Sequence, residues 1–151
     1  MVEEILVPTD FSELSLRGVE RARALAETLG AHVTLIHVLA PGTARHSLVP
    51  GSSKPPPAEV MEAHEEGESL KRIRDSHLQG LQNVTLQLVS GESAAEAIAE
   101  HAGRLKMDMI VLASHGRTGL SAAVMGSVAE EVVRHAHCPV LVVPPPRDDQ
   151  H

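Results

Sequence analysis

Strand-like and helix-like segments alternate along this chain of 151 residues, and no other feature of the sequence constrains the fold as strongly. Short apolar runs predict five strands, at residues 4–9, 32–39, 83–90, 107–114 and 138–146. Between these runs, helical spacing of apolar residues or a high charge density predicts helices at residues 12–29, 58–79, 93–106 and 127–135. Strands that are joined through helices pair in parallel. The pattern therefore predicts an α/β sandwich with a mainly parallel sheet.

Capping residues mark the ends of three of these helices. Ser93 and Glu96, like Ser127 and Glu130, have the spacing of a capping box, and Gly30 stands where a C-cap glycine would end the first helix. The apolar residues that share one helical face are expected to point into the core. They are Leu14, Val19, Ala22, Leu25, Ala26 and Leu29 in the first helix, and Ile98, Ala99, Ala102 and Leu105 in the third.

The size and composition of the chain fit one domain. With 42% hydrophobic and 22% charged residues, 151 residues can bury a single core. We expect that domain to cover residues 1–146 and a tail to follow at residues 147–151. Residues 40–57 are rich in Gly, Pro and Ser, and we expect them to form a mobile surface loop within the domain rather than a linker.

Charge and composition argue against several classes of partner. The formal net charge of −7 opposes binding to nucleic acid and to anionic membranes, and Phe11 is the only aromatic side chain available for base stacking. No apolar run approaches the roughly 20 residues of a membrane span. Cys138 is the only cysteine, and the N-terminus lacks the features of a secretory signal, so we expect a cytoplasmic protein.

The stretch ASHGRTGLSAAVMGSVAEEV, residues 113–132, joins the fourth predicted strand to the last helix. In open α/β sheets, ligands bind beyond the carboxyl ends of the strands. Gly116, Gly119 and Gly126 would let the backbone approach an anion, and Ser127 opens a helix whose N–H groups attract negative charge. The alternative is that the glycines only form turns and Ser127 only caps the helix. Neither the P-loop G-x-x-x-x-G-K-[ST] nor the dinucleotide motif G-x-G-x-x-G occurs.

Together with ILVPTDFSE near the start and HCPVLVV near the end, this loop resembles the universal stress protein family. Nucleotide-binding members of that family carry the motif G-x-x-G-x(9)-G-[ST]. Gly116, Gly126 and Ser127 match its last three fixed positions, and Ala113 stands at the first. The resemblance implies a three-layer α/β/α sandwich of the adenine nucleotide alpha hydrolase-like type, with a five-stranded parallel sheet in the order 3-2-1-4-5.

The same resemblance implies that ATP, with or without Mg²⁺, lies across the crevice between the first and fourth strands, with adenine among aliphatic groups. The residues assigned to this adenine nucleotide site are Pro8, Thr9, Asp10, Val38, Ala113, Ser114, His115, Gly116, Arg117, Thr118, Gly119, Gly126, Ser127, Val128 and Ala129. If the site needs a glycine-only backbone conformation at Ala113, the alanine weakens binding by about 1 to 3 kcal/mol. If the backbone there is ordinary β, the methyl group has little effect.

Three polar side chains of the assigned site have two interpretations each. Asp10 either caps the first helix or contacts the adenosine part of the ligand. His115 and Arg117 either meet phosphate oxygens or remain solvated. Because no Walker-type lysine and no second acidic ligand can be identified, we assign no catalytic residue and expect weak ATPase activity at most.

Two further features concern the last part of the chain. RHAHCP, residues 134–139, places two histidines beside the cysteine, but no second cluster accompanies it, so we predict no metal site. The apolar run PVLVV would be an edge strand, which needs either a partner or protection by the flanking prolines. By resemblance to the family, we expect a homodimer through the fifth strand, Val140 to Val143.

The function expected from the resemblance is that of a stress-response sensor or regulatory module that binds ATP. Two alternatives stay open at the level of the sequence. One is an interaction dimer that no longer binds nucleotide, which Ala113 would favour. The other is a slow ATP hydrolase that uses Asp10 or His115.

Overall fold

The computed structural model describes residues 1–39, 57–115 and 125–146, and for residues 57–63 the backbone alone. The strands in these ranges are β1 (Glu4–Pro8), β2 (His32–Leu39), β3 (Val84–Ser90), β4 (Met109–Ala113) and β5 (Val140–Val143). The helices are α1 (Glu13–Leu29), α2 (Pro57–His77), α3 (Ala94–Arg104) and α4 (Ser127–His135). Each predicted strand and helix is therefore present, with its ends shifted by a few residues. Of the loop predicted at residues 40–57, residues 40–56 lie outside the described residues, and Pro57 is instead the first residue of α2. The predicted tail at residues 147–151 also lies outside the described residues.

The five strands form one sheet in the order β3-β2-β1-β4-β5, and every pairing in it is parallel. The predicted order and α/β class are confirmed. β1 lies at the centre, because the chain first adds strands on one side of it and then crosses over to add β4 and β5 on the other. The crevice between β1 and β4 is thus the point where the winding reverses.

The pairing between β1 and β4 is much shorter than that between β1 and β2. β1 is in register with β2 over five residue pairs, from Glu4↔His32 to Pro8↔Ile36. It is in register with β4 over two pairs only, Ile5↔Met109 and Leu6↔Ile110. The two central strands therefore diverge towards their carboxyl ends and leave an opening in the middle of the sheet.

Side chains that alternate along the strands fill a core on each face of the sheet. Ile5 and Val7 of β1 pack on one face with α1 and α2, and Leu6 packs on the other with α3 and α4. The first core includes Val19, Ala22, Val33, Leu35, Leu70, Ile73, Leu78 and Val111. The second includes Ile36, Ala95, Ile98, Ala102, Ile110, Leu112, Ala129 and Val132. Burial on both faces explains why the central strands read as almost unbroken apolar runs.

Helix ends account for two wrong predictions about the core. Leu29 and Leu105 were expected to point inward, but they are 46% and 41% exposed. Leu29 is the last residue of α1, next to the cap Gly30, and Leu105 is itself the C-cap of α3, so both lie past the packed turns. The predicted cap at Gly30 is confirmed, since its φ of 67° is left-handed and its N–H donates to the Ala26 carbonyl.

Ser93 caps α3 as predicted, because its hydroxyl accepts from the N–H of Glu96 at 3.3 Å.

Asp108 joins β1 to β4 at the amino-terminal edge of the sheet, opposite the opening. Its carboxylate accepts from the N–H groups of Glu3 and Glu4, both at 2.9 Å. These backbone hydrogen bonds hold the pKa of Asp108 below its usual value.

Gly18 lets α1 lie directly against the backbone of β4 at the opening. A Cβ atom at Gly18 would stand 3.0 Å from the nitrogen of Ala113 and 3.2 Å from the carbonyl carbon of Leu112. Both neighbours are main-chain atoms of a paired strand, which cannot move aside as a side chain tip can.

We therefore expect Gly18→Val to lower the free energy of unfolding by about 2 kcal/mol, as overpacked cores usually do. The measurement is urea denaturation followed by circular dichroism. Gly103→Val is the matched control, because a Cβ at Gly103 in α3 meets no atom within 4 Å. Equal stability of the two variants would contradict the close packing of α1 on β4.

Candidate functional site

A cavity opens where β1 and β4 diverge, at the carboxyl edge of the sheet. Its described lining comes from the β1–α1 turn, the end of β2, the end of β4, and the first turns of α3 and α4. The lining residues are Pro8, Thr9, Asp10, Ser15, His37, Val38, Ala94, Ile98, Leu112, Ala113, Ser114, His115, Gly126, Ser127 and Val128. Most of the residues assigned to the site from the sequence thus meet around one cavity.

The remaining assigned residues are placed differently. Ala129 is not part of the described lining, because its side chain is 2% exposed and packs in the core beneath α4. Gly116, Arg117, Thr118 and Gly119 lie outside the described residues.

Hydroxyl groups hold the β1–α1 turn in one conformation. The N–H of Thr9 donates to the carbonyl of Ile36 at 2.9 Å, which ties the turn to β2. The hydroxyl of Ser15 donates to the carbonyl of Ser12 at 2.8 Å and lies 2.8 Å from the hydroxyl of Thr9. Because Ser15 has one hydroxyl hydrogen, Thr9 must donate to Ser15. Thr9 in turn accepts from the N–H of Phe11 at 3.0 Å, so the turn is closed by its own side chains.

Asp10 supports the cap of α1 without being the cap. Ser12 is the N-cap residue, and its hydroxyl accepts from the N–H of Ser15 at 3.1 Å. Oδ1 of Asp10 accepts from both the N–H and the hydroxyl of Ser12, at 3.0 and 2.5 Å. The prediction that Asp10 itself caps α1 is therefore wrong, because Ser12 is the N-cap residue and Asp10 bonds to Ser12. These bonds hold the carboxylate in the cavity wall.

The opposite wall is built where β4 meets α4. The N–H of Gly126 donates to the carbonyl of Ser114 at 2.7 Å, and a Cβ atom at Gly126 would lie 2.7 Å from that same oxygen. Only glycine fits this approach without displacing the backbone. The hydroxyl of Ser114 lies 2.8 Å from Nδ1 of His115, and both residues are buried.

The predicted capping box at Ser127 is wrong. Gly126 is the N-cap of α4, Ser127 is its first helical residue, and no side chain caps the helix. Glu130 instead pairs with Arg134, at 3.1 Å. The first intrahelical bond runs from the N–H of Glu130 to the carbonyl of Gly126. The three preceding N–H groups therefore have no acceptor within the helix, and the first of them belong to residues that line the cavity.

Ala113 has the backbone of an ordinary strand residue. It ends β4 and is in register with Val143 of β5. Among the residues that the structure describes, the non-glycine residues with positive φ are Phe11 and Lys106. The alanine at the first motif position therefore imposes no backbone strain, which removes the main argument from sequence against an intact site.

Sequence reasoning missed five lining residues. Val38 was assigned, and its neighbour His37 was not, because the run HVTLIHVL was interpreted as a buried strand. The other four residues are Ser15, Ala94, Ile98 and Leu112. A polar residue inside an apolar run, one position before an assigned residue, was the signal that could have identified His37. The helical residues carried no such signal, because their position at the cavity depends on how α1 and α3 pack.

The described lining combines an apolar wall with a polar end. Val38, Ile98 and Leu112 supply aliphatic surface, and the N-terminus of α4 supplies N–H groups that have no acceptor within the helix, at the positive end of a helix dipole. Asp10 is the one carboxylate among the described lining residues. Such a cavity suits a ligand with a flat, weakly polar part and an anionic part.

No metal centre is found among residues 1–39, 57–115 and 125–146, which contain no group of three His, Cys, Asp or Glu side chains close enough to hold an ion. In the RHAHCP segment, His135 and His137 are exposed, whereas Cys138 is half-buried. Burial, reinforced by the charge of Asp108, raises the pKa of the Cys138 thiol. A thiol that keeps its proton is a poor metal ligand. Across the same ranges, no helix has the length and hydropathy needed to cross a bilayer.

The fold and the cavity define the class: a parallel α/β sandwich with a ligand cleft where its winding reverses. The chain belongs to the universal stress protein family, whose family model matches residues 1–144.

Relatives by sequence agree with this assignment. Universal stress protein MJ0531 of Methanocaldococcus jannaschii is 32% identical over 99% of this chain and 86% of its own length. Universal stress protein G of Escherichia coli O157:H7 is 34% identical over 95% of this chain and 99% of its own length.

Solved structures show the same fold. Hypothetical protein MJ0577 superposes with a TM-score of 0.78 at 27% identity, over 98% of this chain and 99% of its own. A universal stress protein in complex with cAMP gives a TM-score of 0.61 at 24% identity, over 94% and 96% of the two chains. The universal stress protein from Archaeoglobus fulgidus in complex with dAMP gives 0.62 at 22%, over 95% and 98%.

The conformation of residue 113 can be tested through stability. We expect Ala113→Gly to lower the free energy of unfolding by about 0.5 to 1 kcal/mol, since glycine in a strand interior gains freedom in the unfolded chain. Chemical denaturation of the two proteins side by side measures this difference. A more stable glycine variant would mean that residue 113 occupies a conformation that alanine resists.

Proposed function

We propose that this protein binds an adenine nucleotide, ATP, in the cleft between β1 and β4, and that it acts in the cytoplasm as a stress-response sensor or regulatory module. The observation that carries the proposal is the N-terminus of α4. It has no side-chain cap, it is held against β4 by the contact of Gly126 with Ser114, and it faces an aliphatic wall across the cavity.

In this proposal the nucleotide lies with its base against Val38 and Ile98 and its ribose near Asp10. The phosphates are held by the N–H groups of Ser127, Val128 and Ala129, and residues 116–119 complete the phosphate site. Ala129 contributes through its backbone, which explains how a residue with a buried side chain can belong to the site. His115 lines the same cleft, and Arg117 follows it two positions later in the sequence.

The binding free energies indicate that the ligand needs both the amides of α4 and the aliphatic wall. Hydrogen bonds to a charged group contribute about 1.5 to 3 kcal/mol each, so three amides supply about 4.5 to 9 kcal/mol. A micromolar Kd requires about 8.2 kcal/mol after all opposing terms. Loss of ligand freedom alone opposes binding by at least about 4 kcal/mol. The aliphatic wall closes this gap, since each 100 Å² of apolar surface removed from water contributes about 2.5 kcal/mol.

The comparisons support the ligand class. Two solved neighbours of the same fold hold cAMP and dAMP, so the fold accommodates adenine nucleotides with different phosphate groups. The choice of ATP rests on the resemblance of the sequence motif and on the three amides of α4 that have no acceptor within the helix, which suit a longer polyanion. The β conformation of Ala113 weighs against the alternative of an interaction dimer without nucleotide.

The described lining does not favour hydrolysis or a protein-bound metal. Asp10 is its one carboxylate, and Oδ1 already accepts two hydrogen bonds from Ser12. Mg²⁺ in nucleotide sites is usually held by carboxylates together with phosphates. We therefore place Mg²⁺ on the phosphates of ATP and assign no catalytic residue to the chain.

Nucleotide binding is tested by mass spectrometry of the denatured, purified protein for co-purified ATP or AMP, followed by calorimetric titration. We expect a micromolar Kd for ATP and at least a tenfold weaker Kd for Gly126→Ala, because the added methyl would separate α4 from Ser114. Gly103→Ala, in open space on α3, should bind as the wild type does. Failure of the wild type to bind at millimolar ATP would refute the proposal and favour an interaction module.

We further propose that β5 pairs with its copy in a second chain to form a homodimer. The carbonyl groups of Pro139 and Val143 accept hydrogen bonds from the N–H groups of Ile110 in β4 and of Ser114 just after it. Because the peptide groups of a strand alternate in direction, Val140 and Val142 turn their polar backbone groups to the open edge. Leu141 adds an exposed aliphatic side chain there, 38% accessible.

The dimer is tested by light scattering after gel filtration. We expect the wild type to elute as a dimer and Leu141→Glu to elute as a monomer, since two carboxylates would face each other across the two-fold axis. Leu29→Glu is the control, because Leu29 is a comparably exposed leucine at the far end of α1. A monomeric wild type, or a dimer that tolerates Leu141→Glu, would exclude pairing through β5.

A further inference from the structure

Three polar side chains at the amino-terminal edge of the sheet form a hydrogen-bonded chain across three strands. Glu4 is the first residue of β1, His32 is the first residue of β2, and Thr85 is the second residue of β3. Nδ1 of His32 is 2.8 Å from Oε1 of Glu4, and Nε2 is 2.9 Å from Oγ1 of Thr85. The imidazole therefore lies between a carboxylate and a hydroxyl group.

The chemistry of the two partners fixes the protons of this chain when the imidazole is neutral. An ionised carboxylate can only accept, so the single ring N–H is on Nδ1 and donates to Glu4. Nε2 is then an acceptor, and the hydroxyl of Thr85 must donate to it. A hydroxyl that donates to an imidazole, which a carboxylate orients in turn, has the arrangement of an activated nucleophile.

These side chains can be reached from solvent, and they are separate from the nucleotide cleft. The side chains of His32 and Glu4 are 27% and 41% exposed, and Thr85 is half-buried. None of the three belongs to the described lining of the cavity. Glu4 and Pro8 are the two ends of β1, so the cavity lies about 13 Å away along the strand.

The edge position of β3 supplies a backbone donor beside Thr85. The N–H of His32 donates to Glu3, so the odd-numbered residues of β2 turn their peptide groups towards β3. With the register Thr34↔Thr85, Thr85 bonds to β2, and Leu86 turns its N–H to the outer edge of the described sheet. In acyl transfer, the N–H that follows the nucleophile can stabilise the oxygen on which negative charge develops.

We propose that Thr85 is an acyl-acceptor site, which takes an acyl group from a small activated ester. Oγ1 of Thr85 bonds to the carbonyl carbon of the ester, and the hydroxyl proton passes to Nε2 of His32. The bond from that carbon to the leaving oxygen then breaks, and His32 gives the proton to the leaving oxygen. The products are a free alcohol and an ester of Thr85. Glu4 is a positioning residue, because it acts through the ring of His32.

Charge at this edge favours an uncharged acyl donor. Asp108 bonds to the N–H groups of Glu3 and Glu4, so three carboxylates are brought to the same edge. Lys106 is the one basic residue between α3 and β4. An excess of negative charge disfavours anionic donors such as acyl phosphates. The donor that fits is therefore a neutral ester.

The first test uses p-nitrophenyl acetate, a neutral activated ester, and locates the acetyl group by mass spectrometry of tryptic peptides. We expect Thr85 to be acetylated at least about a hundredfold faster than Thr28, since a positioned general base contributes about 10² to 10⁴ in rate. Thr28 is more exposed than Thr85, and its hydroxyl donates to the carbonyl of Ala24 instead of a histidine. Equal rates at the two threonines, or an acetyl group on His32 alone, would overturn the proposal.

Variants separate activation of Thr85 from a purely structural role of the same contacts. Thr85→Ser keeps the hydroxyl and should be acetylated at least as fast as the wild type. His32→Gln lacks the basic nitrogen and should slow acetylation of Thr85 about a hundredfold. Glu4→Gln keeps an oxygen that can accept from Nδ1 but lacks the charge that stabilises the protonated ring, so we expect a loss of at least about tenfold.

The folded state of each variant is checked by urea denaturation followed by circular dichroism. A structural role would shift the urea midpoint and leave the acetylation rate of the folded protein unchanged. Thr28→Val is the matched control, and it should be acetylated at Thr85 as the wild type is. Wild-type acetylation of Thr85 in folded His32→Gln would overturn the assignment of His32 as the base and, with it, the activated site.

Discussion

The divergence of β1 from β4 is the constraint on which the rest of the site depends. The two strands are in register over two residue pairs and then separate, in a sheet whose other pairings continue to the carboxyl edge. Two buried strands that separate must leave backbone groups and side chains exposed between them. Part of the gap between the strands is covered by α1, which lies so close to β4 that Gly18 has no room for a side chain. The rest of the opening is the cavity.

In the proposed nucleotide site, main-chain groups do much of the recognition that side chains perform in other nucleotide sites. Gly126 has two effects. Its missing Cβ permits the contact with Ser114, and because glycine is the N-cap residue, α4 begins without a side-chain cap. A serine or aspartate cap would satisfy one of the first N–H groups of the helix internally. Among the described residues these donors have no acceptor within the helix, and in the proposed site they serve the ligand. The glycine N-cap therefore lowers the stability of the helix end and, in the proposed site, leaves its N–H groups able to bind an anion.

The strands and helices could be predicted from the sequence, whereas the helix ends and the side-chain contacts around the cavity could not. Alternating patterns identified each strand and helix, because burial on both sheet faces dictates continuous apolar runs such as residues 5–7. Helix ends were harder: Ser127 has the spacing of a cap, yet the contact between Gly126 and Ser114 starts the helix one residue earlier than that cap requires. His37 lies against Glu66, twenty-nine positions away in the chain, and no local sequence pattern predicts such a contact.

Phe11, the only phenylalanine in a chain without tyrosine or tryptophan, shows how these constraints combine. A protein that binds adenine commonly places an aromatic side chain on the base, but here Phe11 lies on His37 and does not line the cavity. In the proposed complex the base therefore rests on aliphatic surface, where contact depends on shape and burial more than on ring stacking. Recognition through shape requires walls that do not move. The left-handed backbone of Phe11, the closed hydroxyl network of Thr9 and the contact of His37 with the Thr9 carbonyl all hold one of those walls in place. Rigidity of the β1–α1 turn is therefore the condition for the proposed binding without aromatic contacts.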